Sequence, residues 1–140
     1  MRAATKEERV KKSGVLNQPL SAVIAGMGHL DRLTVSDAGL PIPQGPERID
    51  LAVTAGLPPF LDVVRAILGE LKVQQAIVAT EMAERSPQLH AALRELLGDI
   101  PIEAIAHEQF KALTRETRAV VRTGEFTPYA NVILIAGVVF

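Results

Sequence analysis

Three polar side chains lie within the stretch GMGHLDRLTVSDAGLPIP, residues 26–43. His29, Asp31 and Asp37 are spaced around a short apolar run, which a Pro-Ile-Pro turn follows. Histidine is the side chain that titrates near neutral pH, so His29 can carry a proton between two groups. A carboxylate such as that of Asp37 accepts hydrogen bonds from hydroxyl groups. This combination suits a reaction that moves protons on a small polar molecule.

Each of these residues also has an ordinary structural interpretation. His29 follows Gly28, which we expect to end a helix in the left-handed conformation, and a histidine there can bond the last carbonyl groups. Asp37 precedes an Ala-Gly pair and is typical of a turn in which the side chain bonds its own backbone. We interpret Asp31 as a turn residue. Spacing alone leaves both interpretations of His29 and Asp37 open.

Two further polar stretches lie later in the chain. HEQFK, residues 107–111, begins like the zinc-binding pattern H-E-x-x-H but has Lys111 in place of the second histidine, so it is not a zinc helix. In a helix, His107 and Lys111 share one face; the alternative is a solvated surface helix. Tyr129-Ala130-Asn131 precedes the last apolar run. Tyr and Asn side chains donate and accept, which suits sugar hydroxyls, although such a step is commonly only a turn.

Composition excludes several classes of function. The chain has 140 residues, 48% hydrophobic and 22% charged, which suits one globular domain. It has no cysteine, which excludes disulfides and a thiolate nucleophile, and its net charge of -1 argues against nucleic-acid binding. We find no membrane span, signal peptide, dinucleotide fingerprint or paired metal-binding histidines. We therefore expect a cytoplasmic protein with no cofactor, no metal, and no nucleic-acid or membrane partner.

Strands and helices alternate along the sequence. The periodicity predicts helices over 19–27, 60–71, 87–97 and 107–113, and strands over 33–36, 49–53, 76–79, 102–106, 119–122 and 131–139. We predict a single-domain three-layer α/β/α sandwich with a largely parallel central sheet, in which the last strand is central. We expect residues 1–12 to be a flexible charged extension and 13–140 to form the domain. Ligands bind at strand ends in such sheets, where Asp37, His107 and Tyr129 are expected.

Four segments resemble those of D-ribose pyranases, in the ribose pyranase and fucose mutarotase family, and they occur in the same order. They are KKSGVLNQPLSAVIAGMGHLDRLTVSDAGLPIP, RIDLAVTAGLPPFLDVV, HEQFK and TGEFTPYANVILIAGVVF, and they span residues 11–140. The loop AGLPIP after Asp37 is similar to the ribose group rather than the fucose group. The resemblance implies an isomerase that interconverts the pyranose and furanose forms of D-ribose. The alternatives are a mutarotase for fucose or another sugar, and a non-catalytic ribose-binding module of ribose uptake.

The resemblance also implies roles for individual residues. His29 matches the catalytic acid of the family. The expected contacts with D-ribose are Asp37, His107, Lys111, Tyr129, Ala130 and Asn131. No cofactor or metal is implied, and the expected assembly is a ring-shaped homo-oligomer, a decamer.

The spacing of His29 and Asp37 bears on that assembly. They are eight residues apart, a span of up to about 26 Å when extended, and a strand between them tends to place them at opposite ends of the sheet. Either residues 30–32 turn the chain back, or His29 serves a site that a neighbouring subunit completes. We expect the second.

Overall fold

A computed structural model of the chain describes residues 11–140. The helices are α1 (Gln18–Gly26), α2 (Phe60–Leu68), α3 (Thr80–Arg85), α4 (Pro87–Leu97) and α5 (His107–Leu113), and a short 3₁₀ turn (Thr114–Glu116) follows α5. The strands are β1 (Arg32–Ser36), β2 (Glu47–Asp50), β3 (Val73–Ala79), β4 (Ile102–Ile105), β5 (Ala119–Arg122) and β6 (Val132–Ala136). Most of the predicted N-terminal extension lies outside the described residues. None of the described helices is long and apolar enough to cross a bilayer.

The strands form one sheet in the order β2-β5-β1-β6-β3-β4. Neighbours are parallel except around β6, which pairs antiparallel with β1 and with β3. Five strands therefore run in one direction, and their carboxyl ends meet at one edge. The predicted α/β fold with a largely parallel sheet is confirmed, and the last strand is central as expected.

Side chains of β6 alternate between two apolar layers. Val132, Leu134 and Ala136 belong to the larger core, which α1, α2 and α4 cover. Ile133 and Ile135 face the opposite side, where Phe110 of α5 packs. All five β6 residues are buried. A central strand that is covered on both faces must be apolar at every position, which is why its sequence lacks the polar alternation of an edge strand.

Several predicted details were wrong. Gly28 does not adopt a left-handed conformation: Leu30 does, with φ 73°, while the Asp31 carboxylate closes the turn by accepting the Gly28 N–H at 2.8 Å. The sequence analysis missed α3, because its six residues bury only Met82 and give no apolar stripe. Ser86, a residue type that commonly caps helices, lies at the N-cap position of α4 but makes no capping bond, because its hydroxyl donates to the Pro128 carbonyl at 2.6 Å.

Candidate functional site

An open cleft of about 590 Å³ lies at the carboxyl ends of β1 and β5. Its walls come from the turn after β1 (37–41), from His107 and Lys111 of α5, and from the segment between β5 and β6. β1 and β5 are parallel neighbours, so the residues that follow them meet at one edge of the sheet. This is where such folds bind ligands, and where the sequence analysis expected the polar residues.

Asp37 makes the predicted turn contacts with its own backbone, and it also lines the cleft. Its Oδ1 accepts the backbone N–H groups of Gly39 and Leu40, at 3.0 and 2.8 Å. The Asn131 side chain completes the arrangement: its Oδ1 accepts the Asp37 N–H at 2.8 Å and its Nδ2 donates to Asp37 Oδ2 at 3.3 Å. These contacts hold the carboxylate in one orientation.

Burial raises the pKa of the Asp37 carboxyl above its ordinary value of 3.8, because a charge is poorly solvated at this position. The hydrogen bonds from Gly39, Leu40 and Asn131, and the nearby His107, oppose the rise in pKa without cancelling it. The fold thus keeps a partly buried carboxylate in the cleft at a cost to its charged form.

His107 and Lys111 lie on the same face of α5 and both line the cleft, as the spacing predicted. The His107 ring meets Tyr129 edge-on, with ring centroids 5.0 Å apart and an interplanar angle of 87°. Its Nδ1 is buried and has no hydrogen-bond partner among residues 11–140. Lys111 pairs with Glu108, Nζ to Oε1, at 2.9 Å. Because Nδ1 of His107 is buried, Nε2 is the ring nitrogen that is available to bond a ligand.

The three residues 129–131 divide between the cleft and the core. Tyr129 lines the cleft and holds a left-handed backbone conformation, with φ 63°. Ala130 and Asn131 are buried behind it, and the Asn131 amide is occupied by Asp37. In this chain Asn131 fixes the carboxylate that faces the cleft.

Arg122, at the end of β5, lines the cleft and was missed by the sequence analysis. Its Nε donates to the Ala38 carbonyl at 2.9 Å, and its Nη1 lies 3.2 Å from each carboxylate oxygen of Asp50. Arg122 pairs in register with Ser36, the residue before Asp37. Arg122 and Asp37 are far apart in the sequence, so their proximity becomes visible only once β1 is known to pair with β5.

Glu125 also lines the cleft and was not predicted. Its backbone carbonyl accepts the Ala38 N–H at 2.9 Å. Its carboxylate accepts the Phe60 N–H, at the start of α2, at 3.0 Å and the Thr127 hydroxyl at 2.7 Å. Burial alone would raise the Glu125 pKa, but the hydrogen bonds from Phe60 and Thr127 outweigh it and lower the pKa below 4.5.

His29 lies away from the cleft. It is exposed at the amino end of β1, and its Nε2 is 3.0 Å from Oε1 of Gln74, near the start of β3. Leu30 donates its N–H to the carbonyl of Ala136, at the end of antiparallel β6. Residues 30–32 therefore lead into β1 without returning His29 towards Asp37, and the two residues lie at opposite ends of one strand.

The fold and cleft define an α/β protein of the kind that binds small ligands beyond the carboxyl ends of parallel strands. Within residues 11–140, no group of three or more His, Asp or Glu side chains is arranged to hold a metal ion. The chain belongs to the RbsD / FucU transport protein family, whose family model matches residues 10–139.

Relatives with assigned names are similar over nearly the whole chain. It is 56% identical to a D-ribose pyranase of Coprothermobacter proteolyticus and 55% identical to one of Chloroflexus aggregans, each over 131 residues, 94% of this chain and 100% of the relative. The structure of Bacillus subtilis RbsD complexed with D-ribose matches with a TM-score of 0.90 at 44% identity, covering 94% of this chain and 100% of that one. The predicted resemblance is confirmed.

A solved fucose mutarotase also shares the fold. This protein, from Streptococcus pneumoniae and in complex with L-fucose, has a TM-score of 0.76 at 22% identity, covering 89% of this chain and 95% of that one. At that level of identity the similarity establishes the fold alone.

Proposed function

We propose that this protein is an isomerase that interconverts the pyranose and furanose forms of D-ribose. The observation that carries the proposal is the cleft at the carboxyl ends of β1 and β5, where a fixed carboxylate, an imidazole, an ammonium and a phenol converge. The named relatives are D-ribose pyranases at 56% and 55% identity, and the Bacillus subtilis neighbour is complexed with D-ribose.

The cleft supplies the groups that would hold the sugar. The Asp37 carboxylate accepts hydrogen bonds from hydroxyls, Lys111 donates, and Tyr129 does both. Nε2 of His107 adds a further contact. The Ala130 and Asn131 segment supports these groups from behind, since the Asn131 amide fixes Asp37. This arrangement would orient a small polyol mainly through its hydroxyl groups. Leu40 and Phe126 add apolar surface beside the polar groups.

The reaction breaks one C–O bond and forms another, with proton transfers and no co-reactant. As the pyranose ring opens, the anomeric hydroxyl loses a proton, the bond between the anomeric carbon and the ring oxygen breaks, the ring oxygen gains a proton, and the free aldehyde forms. A different hydroxyl then attacks the carbonyl carbon and loses its proton, while the carbonyl oxygen gains one. Protons and electrons balance without a co-reactant. In this proposal His29 protonates the ring oxygen, a contribution that is typically worth about 10² to 10⁴-fold in rate.

His29 would reach the sugar from a neighbouring copy of the chain. Its exposure, and its position at the opposite end of β1 from the cleft, support a site shared between subunits. Apolar side chains are exposed at both ends: Phe126 at the cleft is 71% exposed, and Val139 and Phe140, which follow β6 on the His29 side, are 85% and 100% exposed. A head-to-tail contact between two different surfaces forms a ring when its rotation closes, and we propose that it does so here.

We propose a ring-shaped homo-oligomer, with a decamer as the predicted size, a cytoplasmic location, and a catalytic domain over residues 13–140. The absence of cysteine fits a reducing compartment. Sedimentation tests the assembly: a fully active monomer would contradict the shared site.

Saturation-transfer NMR on D-ribose tests the activity directly. Adding the protein should accelerate exchange between the pyranose and furanose signals. Saturable binding without faster exchange would instead indicate a ribose-binding module. Competition with L-fucose and with other pentoses measures the preference for ribose, and a stronger effect on fucose signals would favour the mutarotase alternative.

A further inference from the structure

The helix that carries His107 and Lys111 has no capping side chain at its N-cap residue, although Gln109 Oε1 accepts the Ala106 N–H at 3.3 Å. The first backbone N–H groups of a helix have no acceptor within the helix, and Ser, Thr, Asp or Asn at the preceding position usually supplies one. Here that position is Ala106, whose methyl group cannot accept a hydrogen bond. The N–H of His107 donates instead to the Glu81 carboxylate, at 3.0 Å to Oε1 and 3.2 Å to Oε2.

Glu81 belongs to a different element from the helix that it caps. It is the second residue of α3, which begins directly after β3. β3 and β4 are parallel neighbours, and β4 leads into α5, so the ends of the two strands bring Glu81 to the start of α5. The Thr80 hydroxyl donates to Glu81 Oε1 at 2.9 Å and orients the carboxylate.

The charge of Glu81 suits this contact. Chiefly the hydrogen bond from Thr80, and also those from the backbone N–H groups of Glu81 itself and of His107, lower the Glu81 pKa below 4.5. Glu81 is therefore ionised at neutral pH. Hydrogen bonds to a charged acceptor are stronger than neutral ones, and a negative charge at a helix N-terminus is favourable.

Few other contacts fix where the His107 side chain points. The ring packs against Tyr129 and Phe110, and its Nδ1 has no polar partner among the described residues. The direction of Nε2 therefore follows from the backbone position of His107. The hydrogen bond from the His107 N–H to the Glu81 carboxylate contributes to that position, together with the other bonds at the start of α5.

We propose that Glu81 is a positioning residue of the sugar site, which acts by capping α5 from α3 and so holding His107 against the bound sugar. The inference rests on the proposed function. It adds to the site a residue that does not line the cleft and that no motif in the sequence analysis indicated.

The test is a double-mutant cycle on ribose exchange. E81A should raise the half-saturating ribose concentration about five- to tenfold, with a smaller effect on the rate at saturation. E81Q, which keeps an oxygen acceptor, should stay within about twofold of the wild type. E84A removes an exposed carboxylate from the same helix and should change nothing. In an H107A background, E81A should have almost no further effect, since contacts that act through one residue are not additive.

An equal loss from E81A with and without His107 would overturn the proposal, as would an E81A enzyme with unchanged half-saturation. If E81A does not fold, E81D shortens the side chain by one methylene and supports the same cycle. The His107 amide signal in ¹H–¹⁵N spectra gives a readout apart from activity: it should move in E81A and not in E84A. A wild-type protein without ribose exchange would reject the proposed function while leaving this spectral comparison intact.

Discussion

The two ends of β1 are built very differently. At the carboxyl end, Asp37 accepts hydrogen bonds on both carboxylate oxygens, and the Ala38 backbone is held by Arg122 and Glu125. At the amino end, the exposed His29 side chain bonds only Gln74 among residues 11–140.

In the proposed function, this difference separates two tasks. The polar groups of the cleft are already fixed, which lowers the entropy cost of binding a sugar. His29, the proposed acid, is exposed at the other end of β1, where a second copy would meet it. We therefore expect changes at the cleft to act on binding and changes at His29 to act on rate.

The largest effect is expected for H29A. Loss of the acid should reduce pyranose–furanose exchange about 10² to 10⁴-fold, while ribose affinity stays within about twofold of the wild type. Exchange NMR and titration calorimetry measure the two quantities. H90A, which removes a histidine from α4, is the matched control and should be neutral. If H29A weakens ribose binding as much as it slows exchange, His29 contributes to binding as well as to rate, and the two ends of β1 do not have separate tasks.

A smaller effect is expected for D37N. Ribose binding should weaken about ten- to a hundredfold, because hydrogen bonds to a charged acceptor are among the stronger ones. The neutral amide removes the cost of burying a charge, but its NH2 group then faces the Nδ2 donor of Asn131, so folding stability at neutral pH should change by less than about 1 kcal/mol. Burial raises the Asp37 pKa, so ionisation costs the folded state more than the unfolded state, and this contribution to stability falls as pH rises through the folded pKa.

Thermal unfolding across pH checks the stability of D37N, and the exposed D62N is its control. The unfolding temperature of D37N should lack the decrease that ionisation of Asp37 causes in the wild type as the pH rises through the folded pKa. A D37N protein that is far less stable than the wild type at neutral pH but binds ribose equally well would show that the carboxylate serves the fold rather than the sugar.

The smallest effect on activity is expected for E125Q. Glutamine can still accept the Phe60 N–H, but its amide group then faces the donors of Thr127, so stability at pH 7 should fall by about 1 kcal/mol. The lowered pKa of Glu125 means that its stabilisation is present above 4.5 and is lost as pH falls through the folded value. The difference in unfolding temperature between E125Q and wild type should therefore vanish in strong acid. Ribose affinity should change only a few-fold, through Ala38.

The helices and strands were largely predictable from sequence because their apolar periodicity is strong. The β5 range, 119–122, and the start and end of α5, 107–113, agree with the structure. The antiparallel direction of β6 was not predictable, since a continuous apolar run shows that a strand is buried but not which way it runs.

The site was predictable only in part. His107, Lys111 and Asp37 carry residue types and spacing that suggest chemistry, and the structure brings all three to one cleft. Arg122 and Glu81 act through strand pairings that connect residues far apart in the chain. The sequence around each residue does not show which strands pair, so these residues look like ordinary surface charges.

The shared site is tested most directly by mixing H29A and D37N at a ribose concentration well below half-saturation of D37N, where each variant alone shows little exchange. H29A keeps the cleft, and D37N keeps the imidazole. The two proteins are dissociated, combined in equal amounts and reassembled. Ribose exchange should then return at about a quarter of the sites, which are those where a D37N chain supplies His29 to the cleft of an H29A chain. Reassembled mixtures that remain as inactive as the separate variants would contradict the account, because His29 and Asp37 would then have to act within one chain.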